Sequence, residues 1–389
     1  MATKKTPRPA LLTLSFGNFV IGTGTMIIAG LLNLIAADLH TSVAAVGQLL
    51  AGYAIAVCVG APILAGITSH ISRRKLLVGA LVLFAVGHAF AAVAPDYTVL
   101  MALRVLTGFG AAIFTPQAAA TAGVLAPPQQ RGRAIALVFL GFSLSSVLGN
   151  PISIYLGAAF GWRTALAVVG GISALCAVLL YRQIPQRFYV QRIDAAAWHD
   201  VWRNRALLLV LATSVLQAAG QFVLLTYVAA VFKEYIAATP AVIGLLFSWI
   251  GVTGLIGNVI AGLLMDRIGA ARAVAIATAF ILAGFLLWPL TRGSMPFMIT
   301  ALGLWGLGAF AVNGAQQARL VALAPRLASA SVALNSSSFY LGQATGAMLG
   351  GAALTSLGMS ALSWVGAAIL VLAFGASFVA EHRARAQPA

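Results

Sequence analysis

The segments FLGFSLSSVLGNP (139–151) and YLGQATGAMLGGA (340–352) indicate how this chain is built. In each, an aromatic residue and a Leu precede a Gly, and a second Gly follows eight residues later. These glycines are Gly141 and Gly149 in the first segment and Gly342 and Gly350 in the second, an offset of 201 residues. Each segment also lies within an apolar stretch, at 134–157 and 331–356. A match at such a separation predicts two duplicated halves.

A second set of matches supports the duplication. Gly47 and Gly60 correspond to Gly244 and Gly257 at an offset of 197 residues, and a short basic loop follows each pair: GITSHISRRK (66–75) and GLLMDRIGAAR (262–272). Any one pair could arise by chance in a chain with 40 Gly residues. Several pairs at a nearly constant offset favour duplication.

The composition is that of a membrane protein. Of the 389 residues, 61% are hydrophobic and 8% are charged, whereas soluble proteins carry about 25% charged residues. Twelve apolar stretches, the first at 11–37 and the last at 361–380, are close to the length of about 20 residues that a membrane span requires. The sequence therefore predicts an all-α polytopic membrane protein with twelve transmembrane helices.

The distribution of positive charge predicts the orientation. With an even number of spans, both termini lie on one side, and 19 of the 23 Lys and Arg residues fall on that side. The opposite side holds Arg163, Lys233 and Arg292, and Arg104 lies within a span. Because cytoplasmic loops are enriched in Lys and Arg, we expect both termini in the cytoplasm. This bias accounts for the net charge of +16 without a nucleic-acid partner.

The longest polar segment, RQIPQRFYVQRIDAAAWHDVWRNR (182–205), lies in the middle of the chain. It predicts an N-terminal six-helix bundle at 1–182, a cytoplasmic linker at 183–205 and a C-terminal six-helix bundle at 206–389. Trp198 and Trp202 indicate that part of the linker is a short amphipathic helix at the membrane surface.

Several motifs occur in an order and spacing typical of one family. They are GLLNLIAADL (30–39), RVLTGFGAA (104–112), GFSLSSVLGNP (141–151), GWR (161–163) and the loop with Gly262, Leu264, Asp266, Arg267 and Gly269. In these motifs the chain resembles the major facilitator superfamily, and most of all its bacterial branch of drug/proton antiporters and sugar or nucleoside efflux proteins. The resemblance runs over nearly the whole chain.

This resemblance implies two pseudo-symmetric six-helix bundles around a central cavity that opens to each side in turn. It also implies proton-coupled efflux and a conformational latch at the cytoplasmic helix ends, formed by Gly262, Asp266, Arg267, Gly269, Arg73 and Arg74. The sequence departs from the family at Ser69 and Ser72, where Asp and Gly are expected, and at Thr25, where many relatives carry Glu. The first-half loop therefore keeps only the basic run Arg73-Arg74-Lys75 of the latch motif, and the coupling role of that Glu does not carry over.

Two ionisable residues are predicted inside spans. All seven acidic residues fall in loops or at helix ends, whereas Arg104 and His88 lie about 9–11 Å below the outer surface at 1.5 Å per residue. An ionisable group within a membrane is a functional candidate, so we assign coupling or charge roles to both. The alternatives are a neutral His88 hydrogen-bonded between helices and an Arg104 tied to backbone carbonyls.

Neutral polar residues within the spans form the predicted substrate cavity. Gln217 and Gln221 share one helical face, as do Asn313 and Gln317. The full set is Asn18, Thr25, Tyr53, Gln117, Asn150, Gln217, Gln221, Asn313, Gln317, Asn335 and Gln343. Hydrogen bonds between helices are the alternative role for these residues.

Gly149 and Pro151 are predicted to bend the fifth span, because Pro removes a backbone hydrogen bond. Close helix packing is the alternative role for these two residues.

Together these features predict a monomeric exporter of the inner membrane for small solutes, mainly neutral or weakly anionic, such as sugars, nucleosides or phenicol-like drugs. A cation would find no buried carboxylate to neutralise it. Protons and the lipid bilayer are the other expected partners, with no cofactor or metal. An uncoupled facilitator or an uptake carrier stays open. A membrane sensor or enzyme is less favoured, because the sequence has no nucleotide loop, metal cluster or catalytic triad.

Overall fold

The computed structural model describes residues 8–127, 130–185 and 195–386, which form helices joined by short turns, with no β-strand in these ranges. The helices are α1 (Arg8–Asp38), α2 (Val43–Ile67), α3 (Arg73–Ala91), α4 (Tyr97–Leu125), α5 (Arg131–Leu144), α6 (Asn150–Phe160), α7 (Trp162–Gln183), α8 (Ala195–Arg203), α9 (Arg205–Leu225), α10 (Val228–Ile236), α11 (Pro240–Ile268), α12 (Ala270–Leu287), α13 (Met295–Leu323), α14 (Ala328–Ser356) and α15 (Ala361–Ala386). The predicted all-α fold is confirmed.

Local sequence signals set the helix boundaries. The hydroxyl of Ser42 accepts a hydrogen bond from Ala45 N (3.1 Å) at the start of α2, and the Asp96 carboxylate accepts one from Val99 N (2.9 Å) at the start of α4. Such caps satisfy N–H groups that the first turn leaves open. Between α6 and α7 the chain reverses at Gly161, whose φ of 86° favours glycine.

Eleven helical segments within the described ranges are long and apolar enough to cross a membrane, judged by length and composition. The remaining predicted span, at 331–356, corresponds to α14, which has 29 residues. Its length suffices, but polar residues such as Asn335, Ser336 and Gln343 lower its hydropathy below that of the other eleven. The polarity of α14 places hydrogen-bonding groups inside the bundle.

Two predicted spans are not uniform helices. The span at 134–157 is made of α5 and α6 with a π-helical turn, Ser145–Gly149, between them. The seventh of the twelve apolar stretches, at 206–231, is divided as well, because α9 ends at Leu225 and α10 begins at Val228. At the break, Tyr227 N bonds to Leu224 O, three residues back instead of four, and this ends the α-helical pattern.

Successive spans run in opposite directions, so the bundle has two distinct ends. One end carries the start of α1, the α2–α3 and α4–α5 turns, the α7–α9 connection and the end of α15, and we call it the basic end because most Lys and Arg residues lie there. The opposite end, called the far end, holds the turns at 39–42, 92–96, 237–239 and 357–360.

The first and second halves pack their helices in the same pattern. Helix α4 packs on α2 and α3, and α3 packs on α7. In the second half α13 packs on α11 and α12, and α12 packs on α15. Likewise α1 packs on α5 and α7 as α9 packs on α14 and α15. This correspondence agrees with the pseudo-symmetric fold. Between the halves, α2 packs on α14 and α11 packs on α6.

The linker helix α8 packs on the second half. Val201 of α8 is fully buried with Leu207, Leu320 and Leu334, whereas Trp202 is 61% exposed. This two-sided character agrees with an amphipathic helix at the membrane surface. The rest of the predicted linker, residues 186–194, lies outside the described residues, so the domain boundaries at 182 and 206 stay a prediction.

Candidate functional site

Arg104 is buried in the first half, against the backbone of α1. Its guanidinium donates hydrogen bonds to Gly24 O (NH1, 2.9 Å) and Thr25 O (NH2, 3.3 Å). Its Cζ atom lies 4.5 Å from the centre of the Tyr53 ring, a cation–π distance. The residue is 1% exposed, so α1 and α2 enclose a permanent positive charge.

Tyr53 and Thr25 complete this group on the α2 side. The Tyr53 hydroxyl and Thr25 Oγ1 are 2.7 Å apart, and both residues are fully buried. Tyr53 belongs to α2, the helix of the first half that packs on α14 of the second half.

His88 lies on the other side of Gly24. Its Nδ1 is 2.9 Å from Phe84 O, and its ring packs on the Phe84 ring with centroids 4.2 Å apart. A Cβ atom on Gly24 would lie 2.8 Å from His88 Nε2, and Nε2 has no hydrogen-bond partner among the described residues. His88 Nε2 thus faces the Cα of Gly24, and Arg104 binds the carbonyl oxygen of the same residue. We call Gly24, Thr25, Tyr53, His88 and Arg104 the charge cluster.

Carboxylates of the described residues lie away from the charge cluster. Asp38 pairs with Arg163, Glu234 with Arg292 at 3.7 Å, and Glu381 with Arg319 at 3.2 Å. Asp96 caps α4 and Asp200 lies on α8. Asp194 and the side chain of Asp266 fall outside the described part of the chain.

The second half has neutral amides at its centre. Gln217 Nε2 donates to Thr278 Oγ1 (2.7 Å), and Gln217 Oε1 accepts from Gln316 Nε2 (3.1 Å). Gln221 Nε2 donates to Gln217 O (3.2 Å), and its Oε1 accepts from Trp305 Nε1 (3.2 Å). These bonds fix the orientation of both predicted glutamines.

A second chain of hydrogen bonds lies beside the first. Asn335 Oδ1 accepts from Ser214 Oγ (2.6 Å), and Asn335 Nδ2 donates to Asn313 Oδ1 (3.1 Å). Gln317 Nε2 donates to the same Asn313 oxygen at 3.4 Å. We call these residues, with Gln217, Gln221, Gln316, Thr278 and Trp305, the amide network.

A small cavity adjoins the amide network, lined by residues of α9, α13 and α14. Gln217, Gln221, Asn313, Gln316 and Phe339 contribute to its wall. Its volume of about 10 Å³ accommodates roughly one water molecule. The Gln316 Oε1 atom is buried without a partner among the described residues, so an acceptor is available there.

Two predicted cavity residues carry polar atoms without a described partner. Neither amide atom of Gln343 has a hydrogen-bond partner among the described residues, and the residue is fully buried in α14. On α14, Gln343 lies between the face of Gly342, which packs on α9, and the face of Ala347, whose carbonyl oxygen binds Gln48 of the first half. Asn150 Oδ1 is also buried without a described partner. Unpaired buried amides are costly, so both residues are candidates for contact with a solute or water.

Two other predicted cavity residues tie helices together within the first half. Asn18 Nδ2 donates to Val138 O (3.1 Å), and Asn18 Oδ1 accepts from Thr115 Oγ1 (2.9 Å). Gln117 Oε1 accepts from Arg73 NH1 at 2.5 Å. Because Arg73 lies at the basic end, this bond is formed there, away from the charge cluster.

The predicted latch residues lie at the basic end. Arg74 stacks its guanidinium 3.8 Å from the centre of the Tyr181 ring, Arg267 is exposed, and Gly262 has open space around its Cα. Gly269 ends α11 with a φ of 81° and donates its N–H to Met265 O. The side chain of Asp266 lies outside the described residues, so a latch contact of this carboxylate stays a prediction.

The predicted bend coincides with the π-helical turn. The turn ends at Gly149, and Pro151 follows within the first residues of α6. Pro151 cannot supply the N–H that would bond to Val147 O in an unbroken α-helix. Ser248 Oγ of α11 donates to Val147 O instead, at 3.0 Å, so the irregular turn bonds to the other half.

The two halves meet mainly in the half of the bundle next to the far end. Tyr227 OH donates to Ala347 O (2.8 Å) and accepts from Gln48 Nε2 (3.1 Å), and Gln48 Nε2 also reaches Ala347 O (3.3 Å). Together with the Ser248–Val147 bond, these contacts form what we call the far-end seal. Hydrogen bonds between residues 8–185 and 205–386 lie within this seal, as far as the described residues show.

Toward the basic end the halves part. Ala44, Gln48, Ala51, Ile55 and Val59 follow one face of α2. Ala51 is 3% exposed, but Ile55 and Val59 are 46% and 50% exposed. The face that seals the far end is therefore uncovered beyond the middle of the bundle.

Sequence reasoning did not identify Gln316, Trp305 or Tyr227 as site residues. Gln316 is adjacent to the predicted Gln317, but its amide is the one that bonds to Gln217. Trp305 and Tyr227 stand in apolar stretches without any local motif. No sequence signal marks their partners, because each bond joins residues more than 80 positions apart.

The chain matches a family model and several known proteins. The model of the Major Facilitator Superfamily matches residues 14–235 and 210–389. The chain is 32% identical over 387 residues to the inner membrane transport protein YdhP of Escherichia coli (strain K12), covering 97% of this chain and 96% of that protein. It is 31% identical over 381 residues to the uncharacterized MFS-type transporter YtbD of Bacillus subtilis (strain 168), covering 95% and 94%.

Solved structures share the fold. A bacterial homolog of the human lysosomal transporter Spinster, in an inward-facing and occupied conformation, superposes with a TM-score of 0.79 at 17% identity over 98% of both chains. A D-xylose-proton symporter gives a TM-score of 0.76 at 19% identity, covering 96% of this chain and 98% of that one. At these identities the likeness concerns the fold alone.

Proposed function

The chain belongs to the Major Facilitator Superfamily, and from that premise we propose that it exports small organic solutes across the inner membrane in exchange for protons. The cargo we propose is neutral or weakly anionic, such as a sugar, a nucleoside or a phenicol-like drug. The protein acts as a monomeric carrier rather than as an enzyme, with the bundles at 1–182 and 206–389 as its moving parts.

One observation carries this proposal: the halves touch in the far-end seal and part toward the basic end. A carrier must expose its centre to one side while it closes the other, and packed interfaces that can re-form elsewhere provide such states. The uncovered face of α2 at Ile55 and Val59 is the surface that a basic-end closure would bury.

The orientation follows from charge. Lys and Arg residues are concentrated at the basic end, and the positive-inside rule assigns that end, with both termini, to the cytoplasm. In this orientation the present conformation faces inward, and the latch residues Arg73, Arg74, Gly262, Asp266, Arg267 and Gly269 lie where a cytoplasmic closure forms.

The amide network supports a neutral or weakly anionic cargo. Its members offer donors and acceptors without formal charge, and Gln343 and Asn150 retain unpaired atoms among the described residues. Binding sites for small polar molecules use a few convergent polar groups among apolar walls. A permanently cationic drug would find the charge of Arg104 and no described carboxylate beside it, an unfavourable pairing in a low-dielectric interior.

His88 is our candidate for the proton-carrying group. It lies beside Arg104, which cannot lose its proton, so a second positive charge on His88 is repelled while the two stay together. A conformational change that separates them, or an anion that binds Arg104, favours protonation of His88. Proton occupancy is thereby linked to the state of the bundle.

Transport in proteoliposomes tests the proposal. With radiolabelled chloramphenicol, uridine and xylose as probes, an acidic lumen is expected to drive accumulation of at least one probe, because protons leave as solute enters. His88→Ala should abolish the accumulation, whereas His70→Ala, at an exposed turn of the basic end, should retain it. Gel filtration verifies that both variants are folded.

The outcomes separate the alternatives. Equilibration that ignores the pH gradient would identify an uncoupled facilitator, and accumulation driven by an acidic exterior would identify an uptake symporter. Either result removes the antiport proposal. Retained accumulation in His88→Ala removes the role of His88 and leaves the direction of transport intact.

A further inference from the structure

Three arginines among the described residues pair with a carboxylate, whereas the buried Arg104 does not. Arg163, Arg292 and Arg319 each pair with an acidic side chain. Arg104 is buried more deeply, at 1% exposure, and interacts with Tyr53 and two backbone carbonyls. Within the described residues no carboxylate contacts it.

An unpaired charge at this depth has a large cost. Removing a guanidinium from water costs several kcal/mol, as an order of magnitude, and the partial charges of two carbonyls and one ring offset only part of this. Arginine inside a membrane therefore pairs with another group or serves a ligand pathway. No carboxylate among the described residues pairs with Arg104, which points to a partner that arrives from outside.

One donor of the guanidinium, the Nε–H group, is left for such a partner among the described residues. NH1 and NH2 each donate one hydrogen bond to α1, and Nε has no partner among the described residues. The Nε–H and a neighbouring N–H form a fork that matches the two oxygens of a carboxylate. His88 Nε2, also without a described partner, meets the same residue, Gly24, from the other side.

We propose that Arg104 is the binding site for a monovalent anion, and that its natural occupant is the carboxylate of a weakly acidic cargo. This inference rests on the proposed transport function and specifies the charge of its substrate. The Nε edge of Arg104 binds the anionic group, while the amide network of the second half binds the neutral part. A small inorganic anion such as chloride shares the same chemistry and is the competing occupant.

Ligand-dependent thermal stability of the purified protein in nanodiscs of neutral lipid tests the inference without transport. The probes are sodium acetate, benzoate, salicylate and glucuronate, each compared with its neutral amide at an ionic strength matched by sodium sulfate. A saturable rise in Tm with at least one carboxylate, absent with its amide, is expected because binding stabilises the folded state. Sodium chloride forms a separate arm.

Variants locate the site. Arg104→Gln should raise the apparent Kd of the active carboxylate by about 10-fold or more, since hydrogen bonds to a charged group are lost. Arg104→Lys should give an intermediate weakening because it keeps the charge and loses the fork. Arg163→Gln is the matched control and should leave the Kd unchanged, because its partner Asp38 lies at the far end.

Each outcome decides one point. The inference is overturned if no anion in the panel raises the Tm more than its neutral counterpart does. It is also overturned if Arg104→Lys leaves the Kd unchanged. Both measurements can be made even if Arg104→Gln does not fold. A saturable shift with chloride alone upholds the anion site and assigns it to an inorganic ion. Proton-driven export of a neutral probe without any anion binding would overturn this inference and leave the proposed function standing.

Discussion

The two halves of the molecule share one set of close backbone contacts. Gly141 of α5 lies directly against the carbonyl oxygen of Ser15 in α1, and Gly342 of α14 lies against that of Val215 in α9. The second pair follows the first by 201 and 200 residues. Gly110 with Ala80 O and Gly308 with Ala277 O form an equivalent pair of backbone contacts. Gly60 and Gly257 also correspond, although Gly60 lies against the Phe109 ring and Gly257 against Leu307 O.

The chemistry on this common frame differs. The positions of His88 and Arg104 correspond to Phe285 and Leu302, at offsets of 197 and 198 residues. Phe285 packs edge-on against Trp305 with centroids 5.1 Å apart, and Leu302 is fully buried. Small residues at helix contacts therefore fix the backbone arrangement, while the polar side chains diverge. The first half carries charge, and the second carries neutral amides.

The largest effect is expected from adding a side-chain carbon at the glycine contacts that the two halves share. Gly141→Ala and Gly342→Ala each place a Cβ on a backbone carbonyl that cannot move without its helix. We expect each to lower the free energy of unfolding by about 3 kcal/mol, the upper range for overpacking, and to reduce the yield of folded protein. Thermal unfolding in detergent measures the effect.

Each half provides a matched control for these substitutions. Gly79 of α3 and Gly375 of α15 have no heavy atom within 4 Å of an added Cβ. Gly79→Ala and Gly375→Ala should be neutral or slightly stabilising, because Ala favours a helix over Gly. A large effect of Gly141→Ala beside a small effect of Gly342→Ala would refute the equivalence of the two contacts.

Much of this frame was predictable from the sequence. The glycine offsets indicated the duplication because the same backbone contact demands the same small residue twice, as at Gly141 and Gly342. Span lengths and the distribution of Lys and Arg gave the helices and the two ends. The break at Tyr227 was not predictable, because residues 224–228 contain no Pro or Gly that would mark it.

The site was less predictable than the fold. Polarity within an apolar span singled out Gln217 and Gln117 alike, although one joins the amide network and the other binds Arg73. The helical face of a residue can be read from spacing, but the neighbour that meets this face is set by tertiary packing. Which polar groups converge is therefore known only from the structure.

The next test compares equivalent amides in the two halves. Asn18 bonds to Thr115, and Gln217 bonds to Gln316, each pair joining the first helix of its half to the fourth span. Asn18→Leu and Gln217→Leu should each cost about 2 kcal/mol of stability, because buried polar partners are left unpaired. Gln217→Leu should also raise the KM of the transported probe about 10-fold, equivalent to 1.4 kcal/mol, because Gln217 lines the cavity.

Asn18→Leu should leave that KM unchanged, since both bonds of Asn18 stay within the first half. Thr300→Val is the control, because its exposed hydroxyl bonds only to Pro296 O of its own helix. Equal changes of KM in Asn18→Leu and Gln217→Leu would contradict the division into a structural amide and a cavity amide.

The smallest expected effect concerns the two contacts of the far-end seal. Tyr227, which follows α9, forms hydrogen bonds with Gln48 of α2 and Ala347 of α14. Ser248 of α11 forms a single hydrogen bond, to Val147 O. Tyr227→Phe should open the seal more than Ser248→Ala, for which we expect about 1 kcal/mol, or roughly a 5-fold rise in the open population. Labelling of an Ala44→Cys reporter by an impermeant maleimide, in a background without Cys58 and Cys176, measures the opening.

The effect of Ser248→Ala depends on Pro151. Pro151→Ala restores an N–H that can bond to Val147 O within the helix, so the carbonyl no longer needs the hydroxyl of Ser248. In that background Ser248→Ala should add nothing to the labelling rate, and a double-mutant cycle reports the coupling. Full additivity of the two substitutions would mean that the proline does not create the bond between the halves.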